Sequence, residues 1–341
     1  MATSTPLLSR RRVIAARAEV FPGRVLLPTA THGRFNVFNP EFIQPDIPFE
    51  DREGQGGFSP LAGVPGARSG KITFTIELAG SGQPSAPVPA WAETFLPACG
   101  WVEGGTTGSG LGTLGAFSPQ SLPPGASGAG THTLTIGQWI DGKLRVLRGC
   151  MGSFRIVMTA GVPIRIEFTF TGVWDKPEDA DLIAPNYPDV TPLRFADADI
   201  TLGVPGSGSG AGSGEWHPTL QEIIIEAGND VQLREDPEDV SAYQCAMITG
   251  RRVTVSMNPE MSLAGTKDHD LDWLERTLQT LAIEVPAGGS ADGNHVKVDA
   301  PALQIVNVQA VERNGYVAET VEGLCVRSAD AGDDELVIEF A

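Results

Sequence analysis

The densest group of metal-capable side chains is Asp268-His269-Asp270-Leu271-Asp272, three carboxylates and an imidazole within five positions. Read as a calcium loop it fails, because Trp273 stands where Gly is required and Gln279 where Glu is required. The same acids suit the start of a helix, where one carboxylate caps free amides and others favour the positive end of the dipole. A cap is therefore the expectation, with a metal site as the competing reading. Gly110-Leu111-Gly112-Thr113-Leu114-Gly115 has the G-x-G-x-x-G spacing of a dinucleotide cradle. It lies inside a Gly/Ser stretch, Ala116-Phe117-Ser118-Pro119 does not continue as a helix, and the next acid is Asp141. A loop is the expectation there. His32, His132, His217, His269 and His295 are far apart, and neither an H-E-x-x-H nor a G-x-S-x-G pattern occurs. Carboxylate pairs in the second half are too frequent by chance to mark a glycosidase. The residue types thus predict no catalytic, cofactor-binding or metal-binding residues, and a protein that is not an enzyme.

The elements that would position such residues are β-rich. The 341 residues include 41 Gly and 26 Pro, with 19% charged and 7% aromatic, a composition of turns and loops rather than of a helical bundle. A 41% hydrophobic content provides for a core and argues against disorder throughout. Alternating apolar residues predict half-buried antiparallel strands at Lys71–Leu78, Ile164–Thr171, Arg252–Met257 and Leu303–Val308. Helices are predicted at Val88–Ala98, around Trp91 and Phe95, and at Asp270–Leu281, where Leu271, Leu274, Leu278 and Leu281 form a stripe. Trp91 and Trp273 are expected to pack on the inner faces of these helices. Gly54–Gly70, Gly104–Gly130 and Gly203–Gly214 read as loops that order only against a neighbour.

Charge is split unevenly. Met1–Gly172 has 14 Lys+Arg against 11 Asp+Glu, and Val173–Ala341 has 10 against 31, so the halves carry +3 and −21 of the total −18. An acidic half lacks the clustered cations that grip phosphate backbones and would repel nucleic acid. Arg10-Arg11-Arg12 matches the opening of a twin-arginine export signal, but charge at Arg17 and Glu19 interrupts the apolar stretch that such a signal requires. Cys99, Cys150, Cys245 and Cys325 have no C-x-x-C spacing and read as buried thiols of a reducing compartment.

An internal repeat organises the chain. Ile72–Ile76 corresponds to Val253–Met257 at a shift of 181, and Trp91 to Trp273 at a shift of 182. A closing strand Ile166-Glu167-Phe168 is matched with Ile338-Glu339-Phe340. Between helix and closing strand, Thr133–Arg148 and Phe154–Met158 are matched with Val296–Val311 and Tyr316–Val326. The expected organisation is a first unit at 1–174, a Pro-rich connection at 175–189 and a second unit at 190–341.

With the duplication in view, the chain resembles the tail tube proteins (major tail proteins) of long-tailed bacteriophages. The similarity rests on three stretches. Arg252–Glu260 (RVTVSMNPE) precedes an acidic helix. Leu147–Phe154 (LRGCMGSF) is followed by Gly161 and Ile164–Gly172. Leu220–Arg234 contains Glu226–Asp230 (EAGND). The resemblance implies a mainly β (α+β) fold of two tandem β-sandwich or barrel units, each with one flanking helix and long loops. It implies no catalytic residues. It implies a virion protein, synthesised and assembled in the bacterial host cytoplasm, whose stacked rings form the tube through which DNA is ejected. With two units per chain, a homotrimer of pseudo-sixfold symmetry is favoured and a homohexamer is the alternative. The implied partners are a tape-measure protein, tail-terminator or tail-end proteins, and DNA in passage without specific binding, with no membrane. Other readings are a tail-end or capsid-decorating protein, or a surface β-sandwich adhesion module.

Overall fold

The computed structural model describes residues 7–54, 58–104, 115–203, 215–289 and 292–341. Its first half contains strands β1 (Arg12–Ala18), β2 (Gln44–Asp46), β3 (Phe49–Arg52), β4 (Leu61–Pro65) and β5 (Ser69–Glu77). Helix α1 (Ala90–Ala98) follows, then β6 (Trp101–Glu103), β7 (Ala116–Pro119), β8 (Leu134–Ile140), β9 (Lys143–Thr159) and β10 (Arg165–Asp179). The second half holds β11 (Asp199–Gly203), β12 (Leu220–Glu226), β13 (Asn229–Glu235), β14 (Tyr243–Arg251) and β15 (Thr254–Pro259). Helix α2 (His269–Glu275) leads to β16 (Leu278–Val285), β17 (Val296–Arg313), β18 (Tyr316–Cys325) and β19 (Val337–Phe340). The fold is mainly β. One fifteen-stranded antiparallel sheet runs β2-β5-β10-β9-β12-β15-β18-β17-β19-β7-β6, with β1 and β8 joined to β9 and with β11 and β16 joined to β17. Two hairpins, β3–β4 and β13–β14, stand off it.

The two halves pair alike. In the first, β1 pairs β8, β8 pairs β9, β9 pairs β10, β10 pairs β5 and β5 is bridged through Thr75 to Phe38. In the second, β11 pairs β16, β16 pairs β17, β17 pairs β18, β18 pairs β15 and β15 pairs β12. Register agrees as well. Ile136 faces Leu147 and Ile140 faces Lys143, just as Leu281 faces Ala300 and Val285 faces Val296, and each pair has a bulge at the same distance. Across the sheet the row Ile76–Ile166–Ile156 is matched by Met257–Val321–Val308. Two-residue turns with left-handed φ, Asp141-Gly142 and Asn314-Gly315, close the hairpins β8–β9 and β17–β18, which are not counterparts of each other; such turns match the twist of paired strands.

Several matches move. Val296–Val311 lies in β17, whose counterpart is the whole of β9; Thr133–Arg148 instead spans β8, a turn and the start of β9. Ile338–Phe340 does not correspond to Ile166–Phe168. Val296 faces Phe340 and Lys297 faces Glu339, as Lys143 faces Asp179 and Leu144 faces Glu178, so β19 answers to the far end of β10. A strand that is continuous in the first half is broken in the second by 326–336. β10 itself runs through Pro177, which sits at a bulge and so forfeits no ladder bond, into the stretch that the sequence suggested as a connection.

Alternate residues of β5, β9, β10, β12 and β15 fill one core that extends through both halves. In α1, Trp91, Phe95 and Ala98 are spaced at i, i+4 and i+7 and face inward. Phe95 meets Phe35, Phe74, Phe168 and Phe170 at centroid distances of 4.9, 5.2, 5.2 and 5.6 Å, within the favourable range for aromatic pairs. The helix stops at Gly100, whose φ of +85° suits glycine.

The second helix departs from expectation. It ends at Glu275, because Arg276 takes a left-handed φ of 58°. Leu278 and Leu281 belong to β16, where Gln279, Leu281, Ile283 and Val285 alternate inward and pair along β17. The leucine spacing also fits a helix; the neighbouring strand decides otherwise by offering a hydrogen-bond ladder. Trp273 is 43% exposed, whereas Trp91 is 5% exposed. The difference has a visible cause: Trp91 packs edge-on against Phe340 of β19 at 5.6 Å, while no aromatic ring packs against Trp273 among the described residues.

Trp91→Ala should therefore cost about 3–5 kcal/mol, as for a large buried aromatic, and Trp273→Ala less than about 1 kcal/mol, as for a surface position. Urea midpoints of the two variants in dilute solution check this; equal losses contradict it.

Candidate assembly interface

The halves join where β12 lies along the outer part of β9. Glu222–Glu226 pair with Arg155–Thr159, including Ile223 opposite Met158 and Ile225 opposite Ile156. Ile223, Ile225, Ile156 and Met158 are all buried. A second contact lies beside it. The turn after β9 is held by 193–195: Gly161 N–H donates to the Phe195 carbonyl and Ile164 N–H to that of Leu193, both at 2.8 Å. Leu193 and Phe195 are buried.

A third contact is the β13–β14 hairpin, which lies across β9. Arg148, itself buried, reaches Asp239 at 2.7 Å and Asp175 at 3.3 Å and donates to the Gly23 carbonyl at 2.8 Å. Next to it Gly149, at φ +59°, comes so close to Cys245 that a Cβ would stand 2.8 Å from its Cα and Cβ. The Gly149 amide donates to buried Glu19, whose carboxylate also accepts from Thr133, Thr135 and the Gly23 amide. All of these bonds are charge-assisted. At the hairpin's base Arg251 meets Asp333 at 2.9 Å and Glu335 at 3.2 Å and lies over Trp101. Asp175 is partly desolvated, which raises its pKa against the pull of Arg148. Asp239 is pushed up by desolvation too, but bonds from the Ser241 hydroxyl and amide and from Arg148 outweigh this and hold it below the usual range.

The second half presents the counterpart of this junction open. By the matched cross-sheet rows, Asn307–Val311 of β17 answers to Arg155–Thr159. Among the described residues, no strand pairs with that edge of β17, and Gln309 to Glu312 are exposed. Val311, Tyr316 and Val317 around the β17–β18 turn are 38%, 40% and 51% exposed. On the other end of the molecule, Thr75 is bridged to Phe38 as Ser256 is to Ile224, so 36–40 answers to Glu222–Glu226. The facing pairs Ala16–Ile136 and Leu202–Leu281 likewise make Leu7–Ser9 the counterpart of Leu193–Phe195. Leu7 and Leu8 are 52% and 55% exposed. The hairpin β3–β4, counterpart of β13–β14, exposes Phe49, Leu61 and Val64.

The residues singled out for chemistry are dispersed. Asp268 caps α2 by accepting from the Leu271 amide at 3.0 Å, as expected. His269 turns the other way, is buried, and bonds Glu319 at 2.6 Å with its ring edge-on to Trp216. His295 pairs with Glu284, His217 with Asp199, and His132 with the Thr94 carbonyl. Burial lowers the pKa of His132. No group of three or more metal-capable side chains occurs among the described residues. Gly110–Leu114 and Val204–Gly214 lie outside the described residues. All four thiols are free and buried, and desolvation pushes Cys325 up to about 12. No helix among the described residues is long and apolar enough to cross a membrane. Sequence reasoning gave Glu19 and Arg148 no role in a buried cluster; the cue was Arg148 directly before Gly149 in an apolar run and Glu19 just ahead of the Phe21-Pro22-Gly23 turn. No protein-family model matches the chain, and no curated protein matches it.

Arg148→Ala should destabilise the protein by on the order of 3 kcal/mol, since it leaves buried partners unpaired. An acid whose folded pKa is depressed stabilises above its unfolded pKa and loses that contribution as pH falls through the folded value. The stability gap between the wild type and Asp239→Asn should therefore be present at neutral pH and close as pH falls below about 4. Denaturant titrations at several pH values measure it; a gap that widens on acidification contradicts the assignment.

Proposed function

We propose that this chain is a structural protein of a bacteriophage tail tube, built from two copies of one ring-forming unit. The observation that carries this reading is the shared pairing order and register of the two halves, placed side by side in one sheet. A unit whose second copy docks by sheet continuation has one edge satisfied and one left to satisfy, and a closed ring satisfies both. Three chains would supply six units with pseudo-sixfold symmetry; a ring of six chains is the alternative. Stacked rings would form the conduit, with tape-measure and tail-end proteins as the partners such a tube needs and the virion as its location.

The face of the sheet turned away from the core suits passage of DNA without adhesion. It is rich in hydroxyls, such as Thr73, Thr169, Ser153, Thr254 and Ser256. Its Arg155 is bracketed by Glu167 at 3.7 Å and Glu226 at 3.3 Å, which neutralises that cation, although Lys71, Arg165 and Arg252 also stand on this face. The −21 charge of Val173–Ala341 adds a repulsive background.

Light scattering and negative-stain microscopy of the purified chain test the reading. Rings of three chains, stacking into hollow tubes as concentration rises, are expected. A monomer at all concentrations overturns it, and rings of six chains overturn the trimer.

A further inference from the structure

The internal junction is a template for the contact between chains. We infer that Asn36–Pro40 of one copy pairs antiparallel with Asn307–Val311 of a second copy, with Leu7–Ser9 gripping that copy's β17–β18 turn. This names the surface through which the proposed ring would close, and it rests on that reading only for the number of copies.

Both sides of the contact are present on one chain, at opposite ends of the sheet, and each is the register-matched counterpart of a surface that is already buried. Met158 is 1% exposed beneath β12, whereas its counterpart Ala310 is exposed. Ile223 is 0% exposed and its counterpart Val37 only half-buried. Phe195 is buried against the β9–β10 turn, while the β17–β18 turn leaves Tyr316 and Val317 open and the Leu7–Ser9 strap leaves Leu7 and Leu8 open. Because the two surfaces differ, the contact is heterologous, and repeating it carries the chain order forward rather than pairing two copies face to face.

The template sets the register. Ile223 faces Met158, so Val37 should face Ala310; Ile225 faces Ile156, so Asn39 should face Val308. The segment differs from β12 in two respects. Pro40 stands where β12 has Glu226, and Asn39 has a φ of 45°. Pro40 lacks an amide to donate, so the ladder between copies should be shorter than the internal one and end at Asn39. This makes the strap and the apolar turn the larger part of the contact, and it keeps a free chain from exposing a long, regular edge to wrong partners.

Cysteine pairing reads the register directly, and the four native thiols are buried and out of the way. The full chain carrying Val37→Cys with Ala310→Cys should form intermolecular disulfides on mild oxidation. Phe38→Cys with Ala310→Cys, one residue out of register and on opposite faces, should form at least tenfold less. Circular dichroism establishes that each variant is folded. Tyr316→Asp with Val317→Asp, at exposed positions, should leave the monomer folded and abolish assembly. If the wild type assembles yet the in-register pair does not cross-link, this interface is wrong while the ring reading stands. If it cross-links into open chains or rings of another size, the interface stands and the trimeric ring fails. A monomer that never cross-links overturns both.

Discussion

A strand edge cannot be left half-used. Every amide and carbonyl on the rim of a sheet needs a partner or water, and burying the side chains beside it removes the water. Here the outer half of β9 meets this demand through β12, contributed by the other half of the same chain. That one pairing turns two similar sets of strands into a single fifteen-stranded sheet with a common core. The buried clasp at Arg148 and Glu19 and the close approach at Gly149 are arranged around it, holding the β13–β14 hairpin over the seam.

The halves share a scheme but not a surface. Around α1 the first half has β6 and β7, and these are joined by β19 from the far end of the chain; Ile338 pairs with Phe117, and Trp101 donates to the Leu336 carbonyl at 3.1 Å. The second half spends its last strand on this exchange, so the counterpart of β10 is interrupted and α2 keeps Leu271, Trp273 and Leu274 exposed. Two similar sets of strands that lend elements to each other in this way give a chain with two different ends. Different ends are what a directional assembly requires, since a surface that complements itself can only close a pair. The charge split follows the same division, with the acidic half beside the open edge of β17.

Much of the fold was legible in the residues. Alternation fixed the core faces of Ile72, Phe74 and Ile76 in β5 and of Ile166, Phe168 and Phe170 in β10, because a period of two admits only one face at a time. The Trp91 and Phe95 spacing gave α1, and Asp268 gave the start of α2, because a cap is a local bond between neighbours in sequence. The correspondence of β5 with β15 could be read from the shift of 181. Asp141-Gly142 and Asn314-Gly315 were equally readable turn signals, and weighing them would have placed a hairpin turn between β8 and β9 and another between β17 and β18.

Other features could be decided only in three dimensions. Whether Leu278 and Leu281 extend a helix or open a strand depends on β17 being there to pair, and their spacing satisfies either. Whether Trp91 or Trp273 is buried depends on where β19 goes; it comes from the far end of the chain to cover the first and leaves the second bare. The assembly surface was invisible for the same reason: Asn307–Val311 and Arg155–Thr159 differ little as strand sequences, and one is open only because β12 was used on the other. Local periodicity says which face of a strand is apolar, but its partner is set by contacts between residues far apart in the chain.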